Sequence, residues 1–180
     1  MSVPAAFLDR DGTLNAPVVI NGRPYPPESA EELQLLPGVE AACAELSAAG
    51  FRLICITNQP DIARGTQDPA FVATLNARLK ELLGLDEVVT CPHDDADGCS
   101  CRKPKPGMIL DSARRWDVDL SRSVTVGDRW RDVEAGRSAG TRTVFIDRGY
   151  SERVPVGPDL TVVDLKEAVP WIIATAEPPR

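Results

Sequence analysis

This chain is short of histidine, of positive charge and of long apolar runs, and each shortage removes a class of function. His93 is the only histidine in 180 residues, so a centre built on several imidazoles cannot be assembled. Twenty Lys and Arg face 27 Asp and Glu, a net charge of −7 at pH 7. Binding nucleic acid or an anionic membrane needs a broadly basic face, which this balance argues against. No stretch approaches the roughly 18 apolar residues of a membrane helix. Met1-Ser2-Val3-Pro4 has neither the basic run nor the apolar core of a signal peptide, which makes the cytoplasm the expected compartment. Five cysteines in such a compartment point to metal ligands or buried thiols rather than disulfides. No internal repeat and no low-complexity tract is visible.

What remains is an ordinary globular mix, 43% hydrophobic and 26% charged. Its length suits one domain over residues 1–180, expected to be monomeric. Apolar, β-branched runs predict strands at Ala5–Leu8, Phe51–Thr57, Glu87–Thr90, Ser123–Gly127, Thr141–Ile146 and Leu160–Val163. Helical periodicity fills the gaps at Gly38–Ala49, Pro69–Leu83, Gly107–Trp116, Trp130–Ala139 and Leu165–Thr175. Gly50, Gly84 and Gly140 stand where helices should close. Strands apolar nearly throughout, alternating with helices, predict a parallel sheet covered on both faces, a Rossmann-like three-layer α/β sandwich. Such sheets bind ligands beyond the carboxyl ends of their strands. Asp9, Thr57, Cys91 and Asp128 sit at those ends, although they are far apart in sequence. Ala16–Pro37 and Cys91–Pro106 read as irregular loops over that edge, and the tail Ala176–Arg180 as frayed.

The candidate chemistry lies at those strand ends. Phe7-Leu8-Asp9-Arg10-Asp11-Gly12-Thr13-Leu14 closes a buried strand with two acids spaced one apart. Such a pair can hold a divalent cation, and one acid can attack an electrophile. A strand merely stopping at an Asp-Gly turn would look the same. Three more stretches follow in order: Ile56-Thr57-Asn58-Gln59, Cys101-Arg102-Lys103-Pro104 and Val126-Gly127-Asp128-Arg129. Arg10, Arg64, Arg102, Lys103, Lys105 and Arg129 lie near these positions and can set a local positive field despite the net charge. Cys91-Pro92-His93 with Cys99-Ser100-Cys101 supplies three thiols and one imidazole, a complete tetrahedral set for a structural Zn²⁺. Cys43 and Cys55, on a helix and a strand, read as core residues.

The four stretches together resemble the four motifs of the haloacid dehalogenase superfamily. The resemblance runs from Ala5 to Asp147. It implies a phosphatase in which Asp9 is the nucleophile, Asp11 the acid–base, Thr57 a phosphoryl hydrogen-bond donor and Lys103 the charge-neutralising cation. Mg²⁺ would be held by Asp9, the main-chain carbonyl of Asp11, and Asp128. Lys105 competes with Lys103 for its role. Asp132 either orients Lys103 and the metal shell or is simply an acid at a helix N-terminus.

The zinc loop joined to Cys-Arg-Lys-Pro narrows the likeness to the D-glycero-D-manno-heptose 1,7-bisphosphate and histidinol-phosphate phosphatases. That family implies Arg102 on the substrate and Thr57-Asn58-Gln59 around the phosphate, with Arg64 in the stretch after the second motif. It also implies a sugar-phosphate substrate, with histidinol phosphate or another small monoester as the alternative. No gap between motifs is long enough for a cap domain. Ala16–Pro27 departs from the family's usual loop and lacks its histidine. A phospho-receiver would share the Asp, Thr and Lys but lacks the initial Asp-x-Asp and the zinc loop.

Overall fold

In a computed structural model, residues 2–27, 29 and 33–176 are described. Eight strands and five α-helices lie along them. The first strand, β1 (Ala5–Leu8), is followed by β2 (Val18–Ile20), β3 (Arg23–Tyr25), α1 (Val39–Ala48), β4 (Arg52–Asn58) and α2 (Pro69–Leu83). Then come β5 (Glu87–Cys91), α3 (Gly107–Trp116), β6 (Val124–Gly127), α4 (Trp130–Ala139), β7 (Arg142–Ile146), β8 (Leu160–Val162) and α5 (Leu165–Ala176). Six strands form one parallel sheet in the order β5-β4-β1-β6-β7-β8.

β1 is central and wholly buried, and its residues alternate between two cores. Ala6 and Leu8 join Cys43, Leu46, Cys55, Leu79 and Ile172 on the side of α1, α2 and α5. Ala5 and Phe7 join Ile54, Ile56, Met108, Ile109 and Ala135 on the side of α3 and α4. The period of two thus sends one strand's side chains into both helical layers. Helix ends follow local chemistry. Asp68 caps α2 through its side chain with Pro69 beside it, and Gly84 closes α2 at φ 61°.

Predicted and observed elements agree to within a few residues. β4 runs to Asn58, so Thr57 lies inside the strand rather than after it, and β5 runs to Cys91. The loop Ala16–Pro37 is not irregular throughout: β2 and β3 pair as an antiparallel hairpin. Val18-Val19-Ile20 is a β-branched run, and Asn21-Gly22 turns it with φ of 51° and 74°. Asn-Gly suits a two-residue hairpin turn because both positions tolerate positive φ. Within 91–106 a short 3₁₀ turn, Asp95–Asp97, orders the acidic stretch. Part of Ala16–Pro37 and all of 177–180 lie outside the described residues. Among the described residues no cap domain covers the carboxyl edge and no helix is long and apolar enough to cross a membrane.

Candidate active site

The strand order switches from one side of β1 to the other between β1 and β6, and a parallel sheet opens a crevice at such a point. Asp9 follows β1 and Asp128 follows β6. The Asp9 amide donates to the Val126 carbonyl at 2.9 Å, which locks the two strand ends together.

Lys103 is the hub of this crevice. Its side chain is 4% exposed, and its ammonium donates to Asp9 Oδ1 (2.5 Å), Asp132 Oδ1 (2.6 Å) and the Ile56 carbonyl (2.8 Å). All three of its donors are therefore used. Burial alone would lower the Lys103 pKa, but the charges of Asp132 and Asp9 outweigh it and raise it. The Lys103 backbone is fixed as well, since Asn58 accepts from its N–H at 3.1 Å and donates to its carbonyl at 3.0 Å. Asp132 accepts the Arg129 amide at 3.0 Å with its second oxygen. Gly127 makes room for that carboxylate, since a Cβ there would stand 2.2 Å from its carbon.

The acids are differently housed. Desolvation raises Asp9 to about 6, opposed by Lys103 and helped by the charge of Asp132. Burial, with Asp9 and Asp132 nearby, raises Asp128 well above the usual range. Among the described residues only the Tyr150 hydroxyl stands beside the Asp128 carboxyl as a donor, outside good hydrogen-bond geometry. Side-chain oxygens of Asp9, Asp128 and Asp132 lie within 4.8 Å of one another. A buried carboxylate so poor in donors suits a hard, oxygen-seeking cation. Gly12, at φ 91°, passes so close that a Cβ would sit 1.7 Å from Asp128 Oδ2.

Asp11 takes its hydrogen bonds from protein groups. Oδ2 accepts from Gln59 Nε2 (2.9 Å) and from Arg10 Nε and Nη2 (3.1 and 2.9 Å), and Oδ1 accepts from Asn15 (3.0 Å). Gln59 Nε2 also donates to Thr57 Oγ1 at 2.8 Å, leaving the threonine proton free to be donated elsewhere.

A cleft of about 300 Å³ opens above these groups. Asp9, Asp11, Thr57, Asn58, Gln59, Arg64, Arg102 and Lys103 line it, so the structure gathers every sequence-predicted catalytic and substrate-binding position. Its rim carries four guanidiniums, each clasped by acid. Arg64 pairs with Asp94 (2.6 Å) and Asp61 (3.1 Å), Arg102 and Arg131 share Asp95 (2.7 and 3.1 Å), and Arg129 grips Glu152 (2.5 Å). Arg131, Glu152 and Tyr25 were not singled out in the sequence, and only their place on the rim reveals them. Two of the basic residues noted near the motifs do not reach the cleft. Arg10 turns inward and is 2% exposed, whereas Lys105 donates to the Gly98 and Cys99 carbonyls. That leaves Lys103 without a rival.

The cysteine loop abuts the cleft. Sγ atoms of Cys91, Cys99 and Cys101 lie 3.1–3.8 Å apart, and His93 Nδ1 is 3.3 Å from Cys101 and 3.6 Å from Cys91. Sulfurs on a tetrahedral Zn²⁺, each about 2.3 Å from the ion, would stand about 3.8 Å apart, close to this spacing. All five cysteines are free thiols. Arg102, next after Cys101, donates to the His93 carbonyl at 3.1 Å and so stitches the loop to the rim.

The model of the haloacid dehalogenase-like hydrolases matches residues 17–140. The chain belongs to that family. Its match begins beyond Asp9 and Asp11, so those two acids rest on the geometry above. A D-glycero-D-manno-heptose-1,7-bisphosphate 7-phosphatase of Thermosynechococcus vestitus is 37% identical over 201 residues, covering 99% of this chain and 100% of the relative. A D-glycero-beta-D-manno-heptose-1,7-bisphosphate 7-phosphatase of Rhodopseudomonas palustris is 42% identical over 76% of this chain and 79% of its own length. Among solved structures, the D,D-heptose 1,7-bisphosphate phosphatase of B. bronchiseptica, complexed with magnesium and phosphate, superposes with a TM-score of 0.77. It is 32% identical and covers 94% of this chain and 98% of that one. The haloacid dehalogenase-like hydrolase described here is a phosphatase of the same architecture, with a six-stranded parallel sheet and, among the described residues, no cap domain.

Proposed function

We propose that this phosphatase removes the 7-phosphate of D-glycero-D-manno-heptose 1,7-bisphosphate as a single-domain, monomeric, cytoplasmic enzyme. The observation that carries the reading is the buried Asp9–Lys103–Asp132 chain beneath a cleft rimmed by four guanidiniums. The curated relatives of matching length support the substrate.

Asp9, mostly ionised near neutral pH, attacks phosphorus and forms an aspartyl-phosphate. Asp11 gives a proton to the departing sugar oxygen, then takes one from the water that cleaves the aspartyl-phosphate. The Thr57 hydroxyl donates to the phosphoryl oxygens, with its rotor fixed by Gln59, while the Lys103 charge neutralises Asp9 and the phosphoryl group beside it. Asn58 lines the phosphate pocket while holding Lys103 through both its main-chain groups. Mg²⁺, held by Asp9, Asp128 and the main-chain carbonyl of Asp11, supplies positive charge against the phosphoryl oxygens. Asp132 has both oxygens committed to Lys103 and the Arg129 amide, so its part is to position the lysine. Arg64 and Arg102 are placed on the rim to meet the rest of the substrate. Cys91, His93, Cys99 and Cys101 hold a structural Zn²⁺ that fixes Arg102 and Lys103.

The test is Mg²⁺-dependent phosphate release from the α- and β-anomers of the heptose bisphosphate, beside histidinol phosphate and common sugar monophosphates. A preference of at least about tenfold in kcat/KM for one heptose anomer is expected. Preferred turnover of another ester would retain the chemistry and reject the substrate.

A further inference from the structure

Arg10 is a charged side chain in the protein interior with no part in the chemistry just described. Its side chain is 2% exposed. Removing a guanidinium from water costs several kcal/mol unless its donors are satisfied, so a burial this complete calls for partners. It has them on two sides. Nε and Nη2 converge on one oxygen of Asp11, at 3.1 and 2.9 Å, and Nη1 donates to Asn76 Oδ1 at 2.9 Å. Asn76 sits in the buried stripe of α2, among Val72, Leu75, Leu79 and Leu83. Its amide continues to Thr90 Oγ1 on β5 at 2.8 Å. A polar chain Asp11–Arg10–Asn76–Thr90 therefore crosses from the loop after β1 to α2 and on to β5. The Arg10 carbonyl also accepts the amides of Leu14 and Asn15, at 2.9 and 3.2 Å, so the backbone bearing Asp11 is pinned at the same residue.

We propose that Arg10, anchored by Asn76, is the positioning residue for Asp11. Three N–H groups, two from Arg10 and one from Gln59, land on Oδ2 and stop rotation of the carboxyl group. Oδ1, with only the Asn15 donor, is the oxygen left free to carry the proton that Asp11 transfers. Gln59 and Asn15 could not fix the group alone. Both are neutral and short, whereas the guanidinium is a planar fork that reaches Asp11 and α2 together. A lysine could not make both contacts.

This inference rests on Asp11 being the proton donor, and the experiment separates the two claims. Phosphoryl transfer to Asp9 is followed as kcat/KM, with the heptose bisphosphate as a poor leaving group and p-nitrophenyl phosphate as a good one. Proton donation matters to the first ester and little to the second. The variants are Arg10→Lys, Arg10→Gln and Asn76→Leu, with Asp11→Asn as the reference. General acid catalysis contributes roughly 10²–10⁴-fold, so Arg10→Gln and Asn76→Leu should each lose about tenfold or more on the sugar ester. On p-nitrophenyl phosphate the loss should stay under about threefold, with Arg10→Lys intermediate on the sugar ester. Equal losses on both esters, or none on either, would overturn the positioning role and leave Arg10 a packing residue. Should Arg10→Gln fail to fold, Asn76→Leu decides, because it removes the anchor and keeps the charge pair. Equal losses on both esters for Asp11→Asn would instead reject Asp11 as the donor.

Discussion

Lys103 and Asp9 form an ion pair 2.5 Å long between side chains that are 4% and 10% exposed, and a second acid, Asp132, takes the far side of the same ammonium. One buried cation thus serves two buried anions. Breaking a buried pair from one side leaves the other charge uncompensated, at a cost of about 3–5 kcal/mol. Lys103→Met should therefore destabilise the metal-free protein by about that amount, read as a lower urea midpoint, as well as abolish turnover. A variant as stable as the parent would show that the lysine is not holding the acids together.

Asp9→Asn removes the attacking oxygen without removing volume. Turnover should fall by more than about 10³-fold, as loss of a covalent nucleophile does. Circular dichroism should remain native, because burial of the Asp9 charge is itself unfavourable. Substantial residual activity would reject Asp9 as nucleophile.

The raised pKa values of Asp9 and Asp128 give a signed dependence on pH. Asp9 titrates near 6 when folded and near 3.8 when unfolded, so the metal-free folded state binds the extra proton between those values. Its stability therefore falls as pH rises through that window. Mg²⁺ binds the ionised carboxylates, so its stabilising effect should be larger near pH 7.5 than near pH 5. Thermal melts with and without MgCl₂ at both values check this, and an equal shift at both would reject the site.

Purified protein should carry about one zinc per chain by elemental analysis. Cys99→Ser or chelation should cost roughly tenfold or more in kcat, because the loop that ends in Cys101 carries Arg102 and Lys103. A folded, fully active protein free of zinc would reject the assignment.

How much of the site could be read in advance depended on the kind of residue. Asp9, Thr57 and Asp128 were legible because apolar strands lead into each, and a parallel sheet brings its carboxyl ends together whatever the sequence distance. The four metal-type ligands were legible from spacing alone. The hairpin β2–β3 carried its own signal in Asn21-Gly22, yet prolines and glycines around it masked the alternation. Asn76 left only a faint trace, a polar residue in the apolar stripe of α2. Arg131 and Glu152 left none, since their positions depend on how α4 and the segment after β7 meet the cleft.

By itself, then, the chain determined the order of strands and helices, the strand-end acids and the cysteine loop. These follow from local forces: periodic burial, turn chemistry and ligand spacing act over a few residues. Only the tertiary structure decided that Lys103 rather than Lys105 meets Asp9, that Arg10 turns inward to Asn76, and that each rim arginine is held by an acid. Those choices rest on burial and charge compensation between segments up to 94 residues apart. Such forces take hold only once the sheet has brought the segments together.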